Sequence, residues 1–153
     1  MNTRSSALLL FLVAVVLYAP TLGYGFVFDD GMHVSGPEAV DRLEHPMDIL
    51  IEPTKPGNLY RPLVGLSHWA VYSVFGLQPA FHHLANILLH GCVTLVLFLL
   101  LGRLFERRLA ATTALLFAVH PVHLEAVANV AYRTELLCGL LLLSALYPAL
   151  PLP

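Results

Sequence analysis

Apolar residues fall along the chain in four blocks, separated by one extended polar stretch and two short ones. Residues 7–28 carry no charge, and about 22 residues at a helical rise of roughly 1.5 Å span a hydrocarbon core of about 30 Å. A cleaved signal peptide is the rival reading, because Arg4 precedes a short apolar run. The run continues past any plausible cleavage point, and no small-residue site stands out, so a membrane helix is the preferred expectation. A second span is predicted over 82–102, its apolar core broken by Asn86 and His90. A third starts at Leu109 and is too short if it stops at Val119; it reaches membrane length only by continuing through His120-Pro121-Val122-His123, over 109–130. A fourth starts near Leu136, within 131–153, and ends among Pro148, Pro151 and Pro153, residues that break helices.

Arginines in the short loops set the expected orientation. Arg4 and the loop 103–108, with Arg103, Arg107 and Arg108, mark a cytoplasmic side. The long polar segment 29–81 and the connection around 120–135 then share the outer side. Within the long segment, Ser35-Gly36-Pro37-Glu38 has the spacing of a capping box and predicts a helix over 36–44. Arg61-Pro62 opens a second helix that ends at Gly76, with Leu63, Leu66, Ala70 and Val74 at helical spacing and Ser67 and His68 off that stripe. Trp69 and Tyr72 place this helix along the membrane surface, or packed on the other helices.

Composition agrees with a membrane chain. Of 153 residues, 58% are hydrophobic and 12% charged, where soluble domains carry about 25% charged residues. The net charge of -2, with no basic stripe, argues against a nucleic-acid partner. Cys92 and Cys138 fall in apolar runs and read as small hydrophobes. There is no Asn-x-Ser/Thr acceptor to report on sidedness.

Three polar groupings carry candidate chemistry. Asp29 and Asp30 follow the first span directly, where ionised groups are costly unless paired or used. They offer a general base and a second carboxylate that orients it or holds a metal, or else simply mark the water boundary. Arg61 stands at a helix start, a place suited to an anion, and its guanidinium can grip phosphate or snorkel to headgroups. His120, His123 and Glu125, followed by Arg133 and Glu135, form a polar group suited to lining a wet cavity, with Arg133 a second phosphate candidate. A divalent metal on Asp30, His120 and His123 is the remaining option, although Pro121 disturbs the one-face geometry of a helical pair. His83, Asn86 and His90 share one stripe of the second span, which predicts hydrogen bonds between helices ahead of a proton relay.

In order, Gly25-Phe26-Val27-Phe28-Asp29-Asp30, Tyr60-Arg61-Pro62-Leu63, the run from Phe81 to His90, and the run from Phe117 to Ala128 resemble the transmembrane and tetratricopeptide-repeat O-mannosyltransferases. These belong to the wider GT-C class of glycosyltransferases. Arg133-Thr134-Glu135 stands near the family's Gly-Arg-x-Asp, with Tyr132 in place of the glycine and Glu135 in place of the aspartate. The resemblance implies an all-α membrane fold, four of whose spans are expected here, with a large first outer loop holding short amphipathic helices. It implies a donor sugar, mannose, on dolichyl or another polyprenyl phosphate, and a protein hydroxyl or glycan as acceptor. The family's acidic pair falls on Asp29 and Asp30. The implied reaction is one inverting displacement at the endoplasmic reticulum membrane of a eukaryote or the inner or plasma membrane of a bacterium. Arg61 and Arg133 are the residues whose charge suits the departing phosphate. The further spans and repeats of that family are not in the sequence, so a truncated piece is expected. A non-catalytic membrane adaptor and a transporter subunit are the competing expectations.

Overall fold

The computed structural model describes residues 2–53 and 59–149, and every regular element among them is helical. Asn58, which opens the stretch before Tyr60-Arg61-Pro62, and the terminal Pro151 and Pro153 lie outside the described residues.

Helix α1, Thr3–Tyr18, starts where the Asn2 side chain accepts from the Ser5 amide at 2.8 Å, satisfying one of the donors a helix start leaves open. It continues as a 3₁₀ turn over Ala19–Gly23. Ser6, Leu10, Ala14 and Tyr18, four apart, form its buried stripe, while Leu8, Leu12 and Val16 stay exposed, as on a helix that meets lipid on its other faces. Four further helices each open on proline, whose missing N–H costs nothing at that position: α2 at Pro37–Glu44, α3 at Pro46–Ile51, α4 at Pro62–Phe75 and α5 at Pro79–Leu104. Gly76 ends α4 at φ 61°, a conformation open to glycine and strained for residues with a Cβ.

The long helix α5 is the axis of the molecule. It packs against α1, against α6 at Arg107–Val119, and against α8 at Arg133–Ala149. Leu10, Phe98, Ala110 and Ala114 form one core cluster among α1, α5 and α6, the alanines admitting close helix approach. Tyr18, Ile87, Val127 and Leu136 form a second nearer the other end of α5. Pro148 sits within the last turn of α8 and does not end it earlier.

Among the described residues, three helical stretches are long and apolar enough to cross a membrane: Thr3–Gly23, Pro79–Leu104 and Val130–Ala149. The span expected over 109–130 is not one helix. α6 stops after 13 residues at Val119, His120 is extended, and a short α7 resumes over His123–Ala128. Pro121 explains the break, since proline disfavours a helical conformation in the residue before it. Thirteen residues give only about 20 Å of helix, short of a hydrocarbon core. The last span starts at Val130 rather than near Leu136.

The segment between α1 and α5 folds at one end of the bundle. A π-helical turn over Gly31–Ser35 leads into α2. The expected capping box does not form: Gly36 is the N-cap, and the Ser35 hydroxyl donates to the Asp30 carbonyl at 3.3 Å. Helix α4 also turns a different face inward. Leu63, Ala70 and Val74 are exposed, whereas His68 is buried. Trp69 and Tyr72 pack on a cluster of Val34, Leu43, Ile49 and Val130, and the Tyr72 hydroxyl donates to Glu44 at 3.2 Å. The helix packs chiefly on α2 and α3, and its exposed face carries Leu63, Val74 and Phe75.

At the opposite end of α5, about 36 Å from Pro79 by helical rise, the Arg103 guanidinium lies 3.7 Å from the centre of the Tyr147 ring. It also donates to the Tyr147 carbonyl.

Candidate functional site

The two polar segments that frame the first and last spans meet in one place, and Asp30 joins them. Its carboxylate is fully buried, at 0% exposure. One oxygen accepts from the Val27 amide at 3.0 Å and closes the turn that contains it. The other accepts from the Ala131 amide at 2.7 Å, a hundred residues further on. Asp29 is half-buried, and its carbonyl accepts from the Met32 and His33 amides. Phe28, directly before it, has φ 46° and is 95% exposed, so the acidic turn carries a strained residue at its tip.

Beneath the turn lies Arg133, 1% exposed. Its Nε donates to Asn86 Oδ1 at 2.8 Å, Nη1 to the Ser67 carbonyl at 2.9 Å and Nη2 to the His82 carbonyl at 3.0 Å. Asn86 Nδ2 in turn donates to the Asn129 carbonyl at 3.0 Å. One guanidinium thus ties α4, α5 and the start of α8, with the Asp30 charge near enough to act on it. The structure therefore places Arg133 as an internal tie and not at the surface. Asn86 and His90 donate to carbonyls of α7, the turn after it and α6, the interhelical bonds that their stripe predicts, whereas His83, the third member of the stripe, makes none.

Arg61 is exposed at the N-cap of α4 and reaches the Thr134 hydroxyl at 3.5 Å. Both line a cleft of about 260 Å³ together with His33, His68, Arg42 and Glu38. His33 feels the charges of Asp29, Asp30 and Arg61; burial holds its pKa below the ordinary value, with Asp29 pulling the other way. His33 is the residue that sequence reasoning passed over. It lies four after Asp29, a helical spacing that could have flagged it.

His120, His123 and Glu125 stand apart from this cleft. His120 is exposed, its Nδ1 accepting from the Val122 amide at 3.2 Å. The His123 ring packs 4.2 Å from the Phe117 ring and 5.0 Å from His90. Glu125 lines a separate shallow groove with Tyr24, Val27 and Val122. Glu135 is exposed on the first turn of α8. Among the described residues no three His, Cys, Asp or Glu side chains converge to hold a metal ion. The trio of Asp30, His120 and His123 does not assemble, and both Asp30 oxygens are taken by backbone amides. A divalent metal does not fit these residues.

Comparison with known proteins agrees with the motifs. The chain is 33% identical to a protein O-mannosyl-transferase of Caenorhabditis elegans over 152 residues, 91% of the chain. The chain is homologous to the TMTC-type protein O-mannosyl-transferases. It is 36% identical to TMTC3 of Mus musculus over 87% of the chain, and 48% identical to TMTC1 of the same species over 56%. These matches span 22%, 15% and 9% of those relatives' own lengths. No family model and no solved structure matches the chain. The chain is thus similar in sequence to membrane O-mannosyl-transferases, and among its described residues it has helices long and apolar enough to cross a membrane.

Proposed function

We propose that the chain forms the donor-side end of a GT-C-type membrane O-mannosyltransferase, moving mannose from a dolichyl or other polyprenyl phosphate to a protein hydroxyl or glycan. The observation that carries the reading is the bond from the Ala131 amide to Asp30, which gathers the acidic turn and the 120–135 region at one end of the membrane helices. A lipid-borne phosphate presents its polar head only at such a rim. Asp29, the more accessible of the pair, is the base that takes the acceptor proton as the new glycosidic bond forms. Asp30 orients the turn from beneath. Arg61, exposed at the start of α4, steadies the phosphate that leaves with the lipid. Arg133 is a positioning residue, and its charge adds to the field at the site without touching substrate. His120, His123, Glu125 and Glu135 edge the acceptor approach.

By the arginine rule the site faces the non-cytoplasmic side, the endoplasmic reticulum lumen in a eukaryote. The test is sugar transfer from polyprenyl-phosphate mannose in membranes carrying the protein. Asp29→Asn is expected to lower the rate at least about a hundredfold, the scale of a lost general base, with folding unchanged. Arg61→Ala is expected to raise KM for the donor. Unaltered transfer in Asp29→Asn would remove the base and with it the mechanism.

A further inference from the structure

Charge is divided unequally between the two ends of the bundle. Arg4, Arg103, Arg107 and Arg108 stand with a single acid, Glu106, at the end remote from the acidic turn, while the rest of the chain carries nine carboxylates against four cations. Arg103 is held on Tyr147. Arg4, Arg107 and Arg108 are exposed, and among the described residues none of the three has an ion pair or a side-chain hydrogen bond, even with Glu106 beside them.

Packing brings these three together. Helices α1 and α6 both start at this end and lie against each other, with Ala7 and Ala111 on the shared cluster of Leu10, Phe98, Ala110 and Ala114. Arg4 stands about one turn before Ala7, and Arg107 and Arg108 about one turn before Ala111, so their guanidiniums share one rim. Each lies in the first turn of its helix, the end whose partial positive charge disfavours a cation, and neither first turn holds an acid. Three like charges therefore oppose one another, and no described residue answers them. An anion from outside does.

The surface around the rim selects the anion. Leu104, Phe105 and Leu109 are exposed between and beside the arginines, and the apolar surface continues along α1 through Leu8 and Leu12. A soluble anion leaves that apolar rim in water. An anionic phospholipid covers it with acyl chain while its phosphate meets the guanidiniums, whose planar forks match phosphate oxygens. A zwitterionic lipid presents the same phosphate but brings its own cation, which the arginines repel.

We propose that Arg4, Arg107 and Arg108 form a seat for the headgroup of one anionic phospholipid in the leaflet at this end, the cytoplasmic one by the distribution of arginines. The seat is remote from the acidic turn and stands independently of the sugar-transfer reading.

The test is native mass spectrometry of the protein released from detergent micelles and titrated with palmitoyl-oleoyl phosphatidylglycerol or phosphatidylcholine, which share their acyl chains. Phosphatidylglycerol is expected to bind at least about tenfold more tightly. Arg4→Gln, Arg107→Gln and Arg108→Gln together are expected to abolish that preference. Arg4→Lys, Arg107→Lys and Arg108→Lys together keep every charge, and with it the orientation, but remove the forks. That lysine variant is expected to bind phosphatidylglycerol at least about threefold more weakly than the unmodified protein. Should the glutamine variant fail to insert, the lysine variant decides. Equal binding of the two lipids, or a preference that survives the glutamine replacements, would overturn the proposal. So would lysine matching arginine, which would leave only the general charge bias of a cytoplasmic loop, and so would release of the lipid by glycerol phosphate, which would make a free anion the ligand.

Discussion

Replacing Arg133 by methionine removes a buried charge of similar length and tests whether the tie beneath the acidic turn holds this end of the protein together. Three acceptors lose their donor at once: Asn86 Oδ1 on α5, the Ser67 carbonyl on α4 and the His82 carbonyl on α5. Bonds to a charged donor contribute about 1.5–3 kcal/mol each, and their sum overstates the loss because burying the guanidinium has its own cost. Breaking such a buried arrangement destabilises by about 3–5 kcal/mol. For a chain of this size each kcal/mol moves Tm by about 2–4 °C, so Arg133→Met is expected to lower Tm by roughly 6–20 °C. Arg133→Lys keeps the charge but loses the planar fork that reaches three acceptors, and is expected to lie between. Thermal unfolding in detergent micelles measures this, followed by the fluorescence of Trp69, the only tryptophan, which packs on the cluster at this end. A Tm within about 2 °C of the unmodified protein for Arg133→Met would show that the tie contributes nothing. Lysine matching arginine would show that charge matters and the fork does not.

Gly36→Ala is expected to destabilise although it adds one methyl group, because an added Cβ would lie 2.1 Å from the Gly31 carbonyl oxygen, a backbone atom that cannot step aside. Proteolysis of the acidic turn should become faster, and an unchanged rate would contradict the tight turn. Phe28→Gly is expected to raise Tm by a few degrees, since relief of positive φ is worth about 1–3 kcal/mol and glycine entropy returns part of it; a lower Tm would show that the exposed ring makes a stabilising contact. The His68 pKa is lower folded than unfolded, so the unfolded chain takes up the proton first as pH falls. Its effect is absent above about pH 6.5, and below that stability falls by at most about 1.4 kcal/mol per pH unit. His33 acts in the same direction. Denaturation of His68→Gln between pH 7.5 and 5.5 should therefore show a shallower loss than the unmodified protein, and equal slopes would refute a neutral buried ring.

Much of the helical layout is legible in the order of residues. Proline at the first position of α2, α3, α4 and α5, and Gly76 after α4, are local signals that depend on φ and on missing N–H groups, and the chain obeys them wherever it folds. The uncharged first block and the Asn86–His90 stripe likewise report their roles directly, because polar residues on a membrane helix turn toward protein rather than lipid. Pro121 was visible too, and its break in the third block follows from the same rule. Tertiary contact decided the rest. Nothing in the local pattern of α4 says that His68 turns inward while Leu63 and Val74 face out. That choice follows from the Arg133 fork seeking the Ser67 carbonyl and from Trp69 and Tyr72 finding the Val34 cluster. Asp29 and Asp30 are neighbours of like charge in sequence, and it is the Ala131 amide, a hundred residues away, joining the local Val27 amide, that holds Asp30 buried while Asp29 stays within reach of solvent. Spacing along a chain records what one helix or turn can do; which polar group ends up paired is settled by partners that come from elsewhere, since a buried charge is stable only where hydrogen-bonding partners meet it.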